Sequence, residues 1–413
     1  MDTLTRRRFL FASSGLATIG LAGTAGLVTW NDLHRAAAAT PLPVGNKILV
    51  VLTLYGGNDG LNTLIPYADT AYHDARKDFG YDGDSVLRLD DSWGLNPAMK
   101  GMAQLWQQQK LAIVRGVGYP RPDHSHFRSM DIWQTASPTS PVNTGWIGRW
   151  LDATGDDPLR AVNIGTVLPP LAVGAKTTAA ALDISKAKAL PADLAGAFTG
   201  LGAADPADTP AQLLVARSYC SERTVAGTFE PITDGADADE GDPDTESPAG
   251  EAGGQSDLDR QLQLVARCVK ARVPTRVYTV SLGGFDTHAD EKATQERQLG
   301  EVDAAVSGFF TALQGDPAAD DVILMGYSEF GRRVQANASQ GTDHGTAGPV
   351  FVAGAGVVSG FHAEAPSLTD LDNGDLKATC DFRSVYSEML DRVLGADPSQ
   401  VLGSDVAGLG VLS

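Results

Sequence analysis

Cysteine is scarce in this sequence. The 413 residues include three cysteines, Cys220, Cys268 and Cys380, and none of them lies close to another. An odd number without close spacing disfavours both a disulfide framework and a cysteine-based zinc site. Each cysteine is therefore expected to be a small buried apolar side chain.

Basic residues are also in short supply. Lysine and arginine number 32 against 51 aspartates and glutamates, so the formal net charge is -19. A surface that binds nucleic acid needs clustered lysine and arginine, so this balance argues against a nucleic-acid partner. The acidic excess is expected to serve mainly solubility.

Several loop motifs that identify common enzyme classes are absent. The sequence has no G-x-x-x-x-G-K-[ST] phosphate loop, no G-x-G-x-x-G after an apolar strand and no G-x-S-x-G nucleophile elbow. Nucleotide hydrolysis, dinucleotide redox chemistry and serine-based acyl transfer therefore lack their usual loops. After residue 39 there is also no hydrophobic run long enough to span a bilayer.

The first specific signal stands near the N-terminus, where T-R-R-R-F-L precedes a mildly apolar stretch rich in Gly, Ala and Ser. This pattern predicts a twin-arginine signal peptide over residues 1–39, with Arg6 and Arg7 read by the translocase and cleavage near Ala39. A membrane anchor is the alternative, but the many small and polar residues make a weak span. We expect residues 40–413 to be exported to the periplasm, the cell surface or the medium, without a stable membrane span.

Short β-branched apolar runs alternate with helical patterns along the chain. Such alternation predicts an α/β fold, a sandwich built on a largely parallel sheet. The helical patterns include residues 97–109 and 294–313. The predicted strands are Lys47–Leu54, Leu111–Val114, Thr275–Leu282, Val322–Tyr327 and Val350–Ala353.

An acidic segment divides the chain into two parts. Residues 230–259 contain eleven acidic residues and no Lys or Arg, interleaved with Gly, Pro, Ser and Ala. This composition predicts a solvated, disordered insertion. Calcium binding is the alternative, although the segment lacks the ordered pattern of an EF-hand loop.

Polar residues gather where the predicted strands end. Ligands in open α/β sheets bind at the carboxyl ends of the strands, so these residues are the candidates for chemistry. Carboxylates and imidazoles together suit a divalent metal: Zn, Mn or Fe where His is present, Mg or Ca where the donors are all oxygen. The residues in question are Asp59, His124, His126, Asp286, His288, Glu329, Asp343 and His344.

Ser125 lies between two histidines, near Arg128 and Ser129. Its hydroxyl is a candidate nucleophile toward a phosphate or sulfate ester beside a metal, or toward an acyl group with His126 as base. A purely structural hydrogen-bonding loop is the third interpretation.

Six longer motifs follow the signal in order. They are L-Y-G-G-N-D-G-L-N-T-L-I-P-Y, H-S-H-F-R-S-M-D-I-W-Q-T, G-W-I-G-R-W-L-D, G-G-F-D-T-H-A-D, S-E-F-G-R-R-V-Q and G-T-D-H-G-T-A-G-P-V-F-V-A-G. Together they resemble the bacterial domain of unknown function 1501 (DUF1501), from the signal to the C-terminus. That family is similar to the alkaline phosphatase superfamily, which includes sulfatases and metal-dependent phosphomutases. The resemblance implies an alkaline phosphatase-like three-layer sandwich with a mostly parallel central sheet.

The resemblance also implies roles for single residues. Asp59 matches the first-strand metal aspartate, Asp286 and His288 look like a ligand pair, and His344 looks like the late metal histidine. Ser125 falls in the nucleophile region. The sequence departs from the superfamily pattern at Ser328-Glu329, where Asp-His is usual, and Asp343 beside His344 is a candidate replacement.

Three hypotheses follow. The first is an exported metal-dependent hydrolase of phosphate or sulfate esters, with Ser125 and Arg332 as catalytic residues and Arg128 as an alternative anion contact. The second is a non-catalytic exported binding or surface protein that keeps the same fold. The third is a metal-independent hydrolase using Ser125 and His126. In the first, the metal ligands are Asp59, Asp286, His288, Glu329, Asp343 and His344, with Zn, Mn, Fe, Mg or Ca not distinguished and a small anionic ester as substrate.

Overall fold

The computed structural model describes residues 30–77, 79–155, 157–165, 167–182 and 258–413. The predicted signal pair Arg6 and Arg7, Cys220 and all but the last two residues of the acidic insertion lie outside these ranges. No helix within the described ranges is both long and apolar enough to cross a membrane.

The sheet is the centre of the fold. In the described part of the chain, nine strands form one sheet in the order β11-β5-β10-β9-β1-β8-β6-β7, with β14 beside β5. The strands are β1 Ile48–Leu54, β2 Leu64–Ile65, β3 Leu87–Arg88, β4 Gly94–Leu95, β5 Leu111–Gly118, β6 Ala161–Ile164, β7 Ala180–Leu182, β8 Val277–Leu282, β9 Val322–Ser328, β10 Gly348–Gly354, β11 Gly360–His362, β12 Leu371–Asp372, β13 Asp375–Leu376 and β14 Cys380–Asp381.

The main sheet is parallel except for one strand. β1 pairs in parallel with β8 and β9, β6 with β7 and β8, and β5 with β11 and β14. β10 runs antiparallel between β9 and β5. Strands from both sides of the acidic segment therefore lie in a single sheet, and the predicted largely parallel sheet is confirmed.

Helices cover both faces of this sheet. They are α1 Trp30–Ala39, α2 Gly60–Thr63, α3 Thr70–Ala75, α4 Lys100–Gln107, α5 His126–Thr135, α6 Trp146–Thr154, α7 Leu258–Lys270, α8 Glu291–Leu313, α9 Phe382–Glu388, a π-helix Met389–Leu394 and α10 Pro398–Leu402. Short 3-10 turns cover Pro158–Arg160, Pro170–Ala172 and Pro317–Asp321.

Strand β1 is nearly continuously apolar because both of its faces are buried. Val50 and Leu52 belong to a core with α4, α7 and α8, whereas Leu49 and Val51 belong to a second core with α5, α6 and α9. Because strand side chains alternate between faces, a strand buried on both sides must be apolar throughout. The predicted three-layer α/β sandwich is confirmed.

Helix α1 consists of the last ten residues of the predicted signal peptide. Its Leu33 and Ala37 are buried in the same core as Leu42. Cleavage near Ala39 would therefore remove a helix that contributes Leu33 and Ala37 to this core.

Candidate metal centre

Three imidazoles and one carboxylate converge at the carboxyl ends of the parallel strands. His126 is the first residue of α5, Asp286 and His288 lie in the loop after β8, and His344 precedes β10. His344 Nε2 is 3.0 Å from His126 Nε2 and 2.9 Å from His288 Nε2. Asp286 Oδ1 is 3.0 Å from the Nε2 atoms of His288 and His344 and 3.4 Å from that of His126.

The other ring nitrogen of each histidine faces an acceptor. His126 Nδ1 donates to Glu329 Oε1 at 2.8 Å, and His344 Nδ1 donates to the carbonyl oxygen of His124 at 2.7 Å. His288 Nδ1 lies 3.5 Å from Asp343 Oδ1. A partner at Nδ1 fixes the tautomer that leaves the Nε2 lone pair free, which is how metal-binding histidines are usually oriented.

The electrostatics of the cluster favour a cation. Burial alone would raise the pKa of Asp286, but hydrogen bonds from His126, His344 and Arg332 hold that pKa far below its usual range. Burial alone would lower the pKa of His126, but its hydrogen bonds with Asp286 and Glu329 raise that pKa to about 9. The two carboxylates therefore stabilise a positive charge between them, whether a proton on His126 or a metal ion.

The donor set fits a divalent transition metal. His126, Asp286 and His344 each offer one ligand atom, and these atoms lie within 4.8 Å of one another. Two nitrogen ligands of a tetrahedral zinc ion stand about 3.3 Å apart, given Zn–N bonds of about 2.0–2.1 Å. The observed Nε2 separations are close to that value, and three imidazoles favour Zn, Mn or Fe over Mg or Ca.

Two of the predicted ligands, Glu329 and Asp343, contact the histidines of the cluster on the side away from the converging atoms. Glu329 is buried, and its carboxylate accepts from the Gly56 amide, the Ser328 hydroxyl and His126 Nδ1. Asp343 meets the Nδ1 side of His288, not its Nε2. Both carboxylates thus orient imidazoles, and neither joins the converging atoms.

The structure does not bring Asp59 into the cluster. Its side chain is fully buried in an ion pair with Arg76, in which Nη1 lies 2.5 Å from Oδ2 and Nη2 donates to Oδ1 at 3.1 Å. Asp59 Oδ1 also accepts from the Leu61 amide and so caps α2. This geometry assigns the carboxylate a structural partner, and the proposed metal role of Asp59 is corrected accordingly.

The two predicted catalytic residues also differ from expectation. Ser125 is exposed and caps α5, where its hydroxyl accepts from the Arg128 amide at 3.5 Å. Arg332 is buried, and its guanidinium is bonded to protein atoms instead of facing solvent. Arg128, the alternative anion contact, is paired with Asp131 at 2.6 Å.

His126 joins the cluster although the set of six predicted ligands omitted it. The sequence placed it among the candidate imidazoles, but the motif H-S-H was interpreted mainly through Ser125, with His126 as a possible base. The first histidine of that motif, His124, turns away and pairs with Asp375 at 2.9 Å. Side chains two apart in an extended segment share a side, and it is the start of α5 at His126 that separates the two imidazoles.

A second carboxylate lies beside the Asp59–Arg76 pair. Glu291, the first residue of α8, is fully buried and accepts from the Thr342 hydroxyl at 2.6 Å. Its burial, the charge of Asp59 and a hydrogen bond with Asp59 all raise the pKa of Glu291 well above its usual range. Glu291 is therefore expected to keep its proton at neutral pH.

This proton makes stability depend on pH. In the unfolded chain Glu291 ionises near pH 4.3, so above that pH the folded state binds one proton more. The free energy of unfolding should then decrease as pH rises, by up to about 1.4 kcal/mol per pH unit. The amide in Glu291→Gln is neutral at every pH. The free energy of unfolding of this variant, measured with urea between pH 5 and 8, should therefore decrease less steeply with pH than that of wild type.

The matched control is Glu296→Gln on the same helix, whose carboxylate accepts from the Tyr81 hydroxyl. It should retain the wild-type slope over pH 5 to 8. An unchanged slope in Glu291→Gln would show that this carboxyl is ionised in the folded protein.

Most of the chain is similar in fold to several solved structures, at low sequence identity. A protein of the alkaline phosphatase superfamily from Vibrio parahaemolyticus is 12% identical, with 91% of this chain and 78% of that chain covered and a TM-score of 0.38. The C-terminal periplasmic domain of EcEptC from Escherichia coli, in complex with Zn, is 10% identical over 76% of this chain and 77% of that chain, with a TM-score of 0.34. The phosphonate monoester hydrolase of Agrobacterium radiobacter is 12% identical over 88% and 79%, with a TM-score of 0.33.

No curated protein has a sequence that matches this chain. A family model described as "Protein of unknown function (DUF1501)" matches residues 222–401. The matched region contains Asp286, His288 and His344, whereas His126 precedes it. Residues 222–401 thus match the model of the family that the motifs resemble.

Proposed function

We propose that this chain is an exported, metal-dependent hydrolase of phosphate or sulfate esters. The observation that carries the proposal is the convergence of three Nε2 atoms on Asp286 Oδ1, with Nδ1 of His126 and His344 each held by an acceptor. Imidazoles oriented in this way are typical of metal sites, since an acceptor at Nδ1 holds the ring with its Nε2 toward the metal position.

Four residues would hold the metal in this proposal: His126, Asp286, His288 and His344. A divalent ion bound there supplies Lewis-acid chemistry toward an anionic ester. Glu329 keeps the ring of His126 in place, and Ser125 at the start of α5 or a water molecule is the proposed nucleophile. The acidic bulk of the chain does not oppose an anionic substrate, because the local charge of the ion dominates at the site.

Export is part of the same proposal. The motif T-R-R-R-F-L is typical of a pathway that carries folded proteins, which suits a chain that acquires a metal in the cytoplasm.

The test is elemental analysis of the full purified chain, followed by assays with p-nitrophenyl phosphate and p-nitrophenyl sulfate. Wild type is expected to hold about one equivalent of Zn, Mn or Fe, and the paired variant His288→Ala/His344→Ala less than about a tenth of that. Turnover of one of the two esters should disappear with the metal.

The matched control is His362→Ala, because the His362 ring lies outside the cluster and its Nε2 contacts the carbonyl oxygen of Val358. It should keep both metal and turnover. Wild-type protein that folds stably without metal, in medium supplemented with Zn, Mn and Fe, would overturn the proposal.

A non-catalytic, metal-binding exported protein is the second candidate. It is favoured by the positions of Ser125, which caps a helix, and Arg332, whose guanidinium is occupied. Stoichiometric metal with no turnover of either aryl ester would support this candidate. The metal-independent hydrolase is disfavoured, because His126 Nε2 faces the other imidazoles and its Nδ1 is bonded to Glu329.

A further inference from the structure

A single buried guanidinium connects the loops that surround the metal-ligand cluster. The Arg332 side chain has no solvent exposure. Its Nε donates to the Gly57 carbonyl at 2.6 Å and its Nη1 to the Thr342 carbonyl at 3.0 Å. Its Nη2 lies 2.6 Å from the Gly56 carbonyl, 3.0 Å from the Phe285 carbonyl and 2.8 Å from Asp286 Oδ1.

Three of these five contacts, those to Phe285, Asp286 and Thr342, lie on the loops that carry proposed ligands. Phe285 directly precedes Asp286, and Thr342 stands two residues before His344. The backbone of Arg332 itself forms an antiparallel bridge with His344. Arg332 thus bonds to the two loops that carry Asp286, His288 and His344.

His126 is connected through one further step. The carbonyl of Gly56 accepts from Arg332, and the amide of Gly56 donates to Glu329 Oε1 at 2.9 Å. The same Glu329 oxygen accepts from His126 Nδ1. The position of the first imidazole therefore depends on the loop that Arg332 holds.

We infer that Arg332 is a positioning residue that sets the geometry of the metal-ligand cluster by holding Asp286 and the loops on either side of it. This inference rests on the proposed metal site and replaces the substrate-anion role suggested by the sequence. A planar guanidinium has donors in several fixed directions, whereas a lysine ammonium is a compact point charge, so lysine cannot reproduce this set of contacts.

Arg76 offers a matched control within the same protein. Its guanidinium is equally buried and bonds one carboxylate and two backbone carbonyls, those of Arg333 and Val334, whereas Arg332 bonds one carboxylate and four carbonyls. Its carboxylate partner, Asp59, lies outside the cluster. Arg76→Lys and Arg332→Lys therefore both remove buried contacts, but only the second removes one to a ligand.

The experiment titrates Zn²⁺ into full-length metal-free protein against a chromophoric chelator, after circular dichroism has shown that each variant is folded. Arg332→Lys is expected to bind zinc about 10- to 100-fold more weakly than wild type, the usual range for residues that orient ligands. Arg76→Lys should bind within about threefold of wild type. Equal affinities in the two lysine variants would overturn the inference.

A measurement on wild type covers the case in which Arg332→Lys does not fold. In protein labelled with ¹⁵N-arginine, Zn²⁺ should shift the Arg332 Nε–H signal and leave that of Arg76 in place. A shift of neither signal on stoichiometric zinc binding would contradict the inference. Absence of zinc binding by wild type would instead contradict the proposed function.

Discussion

Replacing His126 with alanine is expected to lower the zinc affinity of the full-length protein at least about 100-fold and to abolish metal-dependent ester turnover. His126 Nε2 is one of the converging donor atoms, 3.0 Å from His344 Nε2. The carboxylates of Asp286 and Glu329 raise the pKa of His126, so this position favours a positive charge. Alanine can neither carry a proton there nor bind a metal ion. Affinity is read by competition with a chelator, and turnover with p-nitrophenyl esters.

His124→Ala is the control for this variant. The carbonyl oxygen of His124, which receives His344 Nδ1, remains after the substitution, and the lost imidazole contacts Asp375 outside the cluster. Zinc affinity should stay within about threefold of wild type, since no contact to a ligand is lost. Full zinc occupancy in His126→Ala would show that Asp286, His288 and His344 suffice.

Replacing Arg76 with methionine is expected to reduce the free energy of unfolding by about 3–5 kcal/mol, because it leaves the buried carboxylate of Asp59 without its counter-charge. Both side chains of this pair have no solvent exposure. Arg76 also holds the pKa of Asp59 below its usual range against the effect of burial. Urea unfolding at pH 7 measures the loss.

The companion variant Asp59→Asn separates the two roles considered for that residue. If Asp59 serves the ion pair alone, zinc stoichiometry should remain at the wild-type value while stability falls. Loss of zinc in folded Asp59→Asn would restore Asp59 as a metal ligand. A double variant that replaces both partners should recover part of the stability, since no unpaired charge is left.

The sequence predicted the strands and loops around the site better than the contacts between its side chains. The apolar run of β1 could only be a strand buried on both faces, and the loops after β8 and β9 carried polar residues where such sheets bind ligands. That rule also placed Asp286, His288 and His344 at this edge of the sheet, because strand direction determines where their loops emerge.

Contacts between distant segments could not be predicted in the same way. Arg76 reaches Asp59 across 17 residues, and no periodicity marks that pairing. Arg332 was interpreted as an anion-binding residue because an arginine near a strand end often is, yet its partners are mainly backbone carbonyls, which leave no trace in sequence. Side-chain direction within H-S-H depended on where α5 begins.

The strand order also has a consequence for biosynthesis. β1 is paired on one side with β8 and on the other with β9, and the bond from Gly56 to Glu329 spans 273 positions. Such distant pairing slows folding, because the entropy cost of closing a long loop comes before any contact that stabilises the pairing. The ribosome must therefore release most of the chain before the middle of the sheet can form, and we expect metal loading to follow completed synthesis.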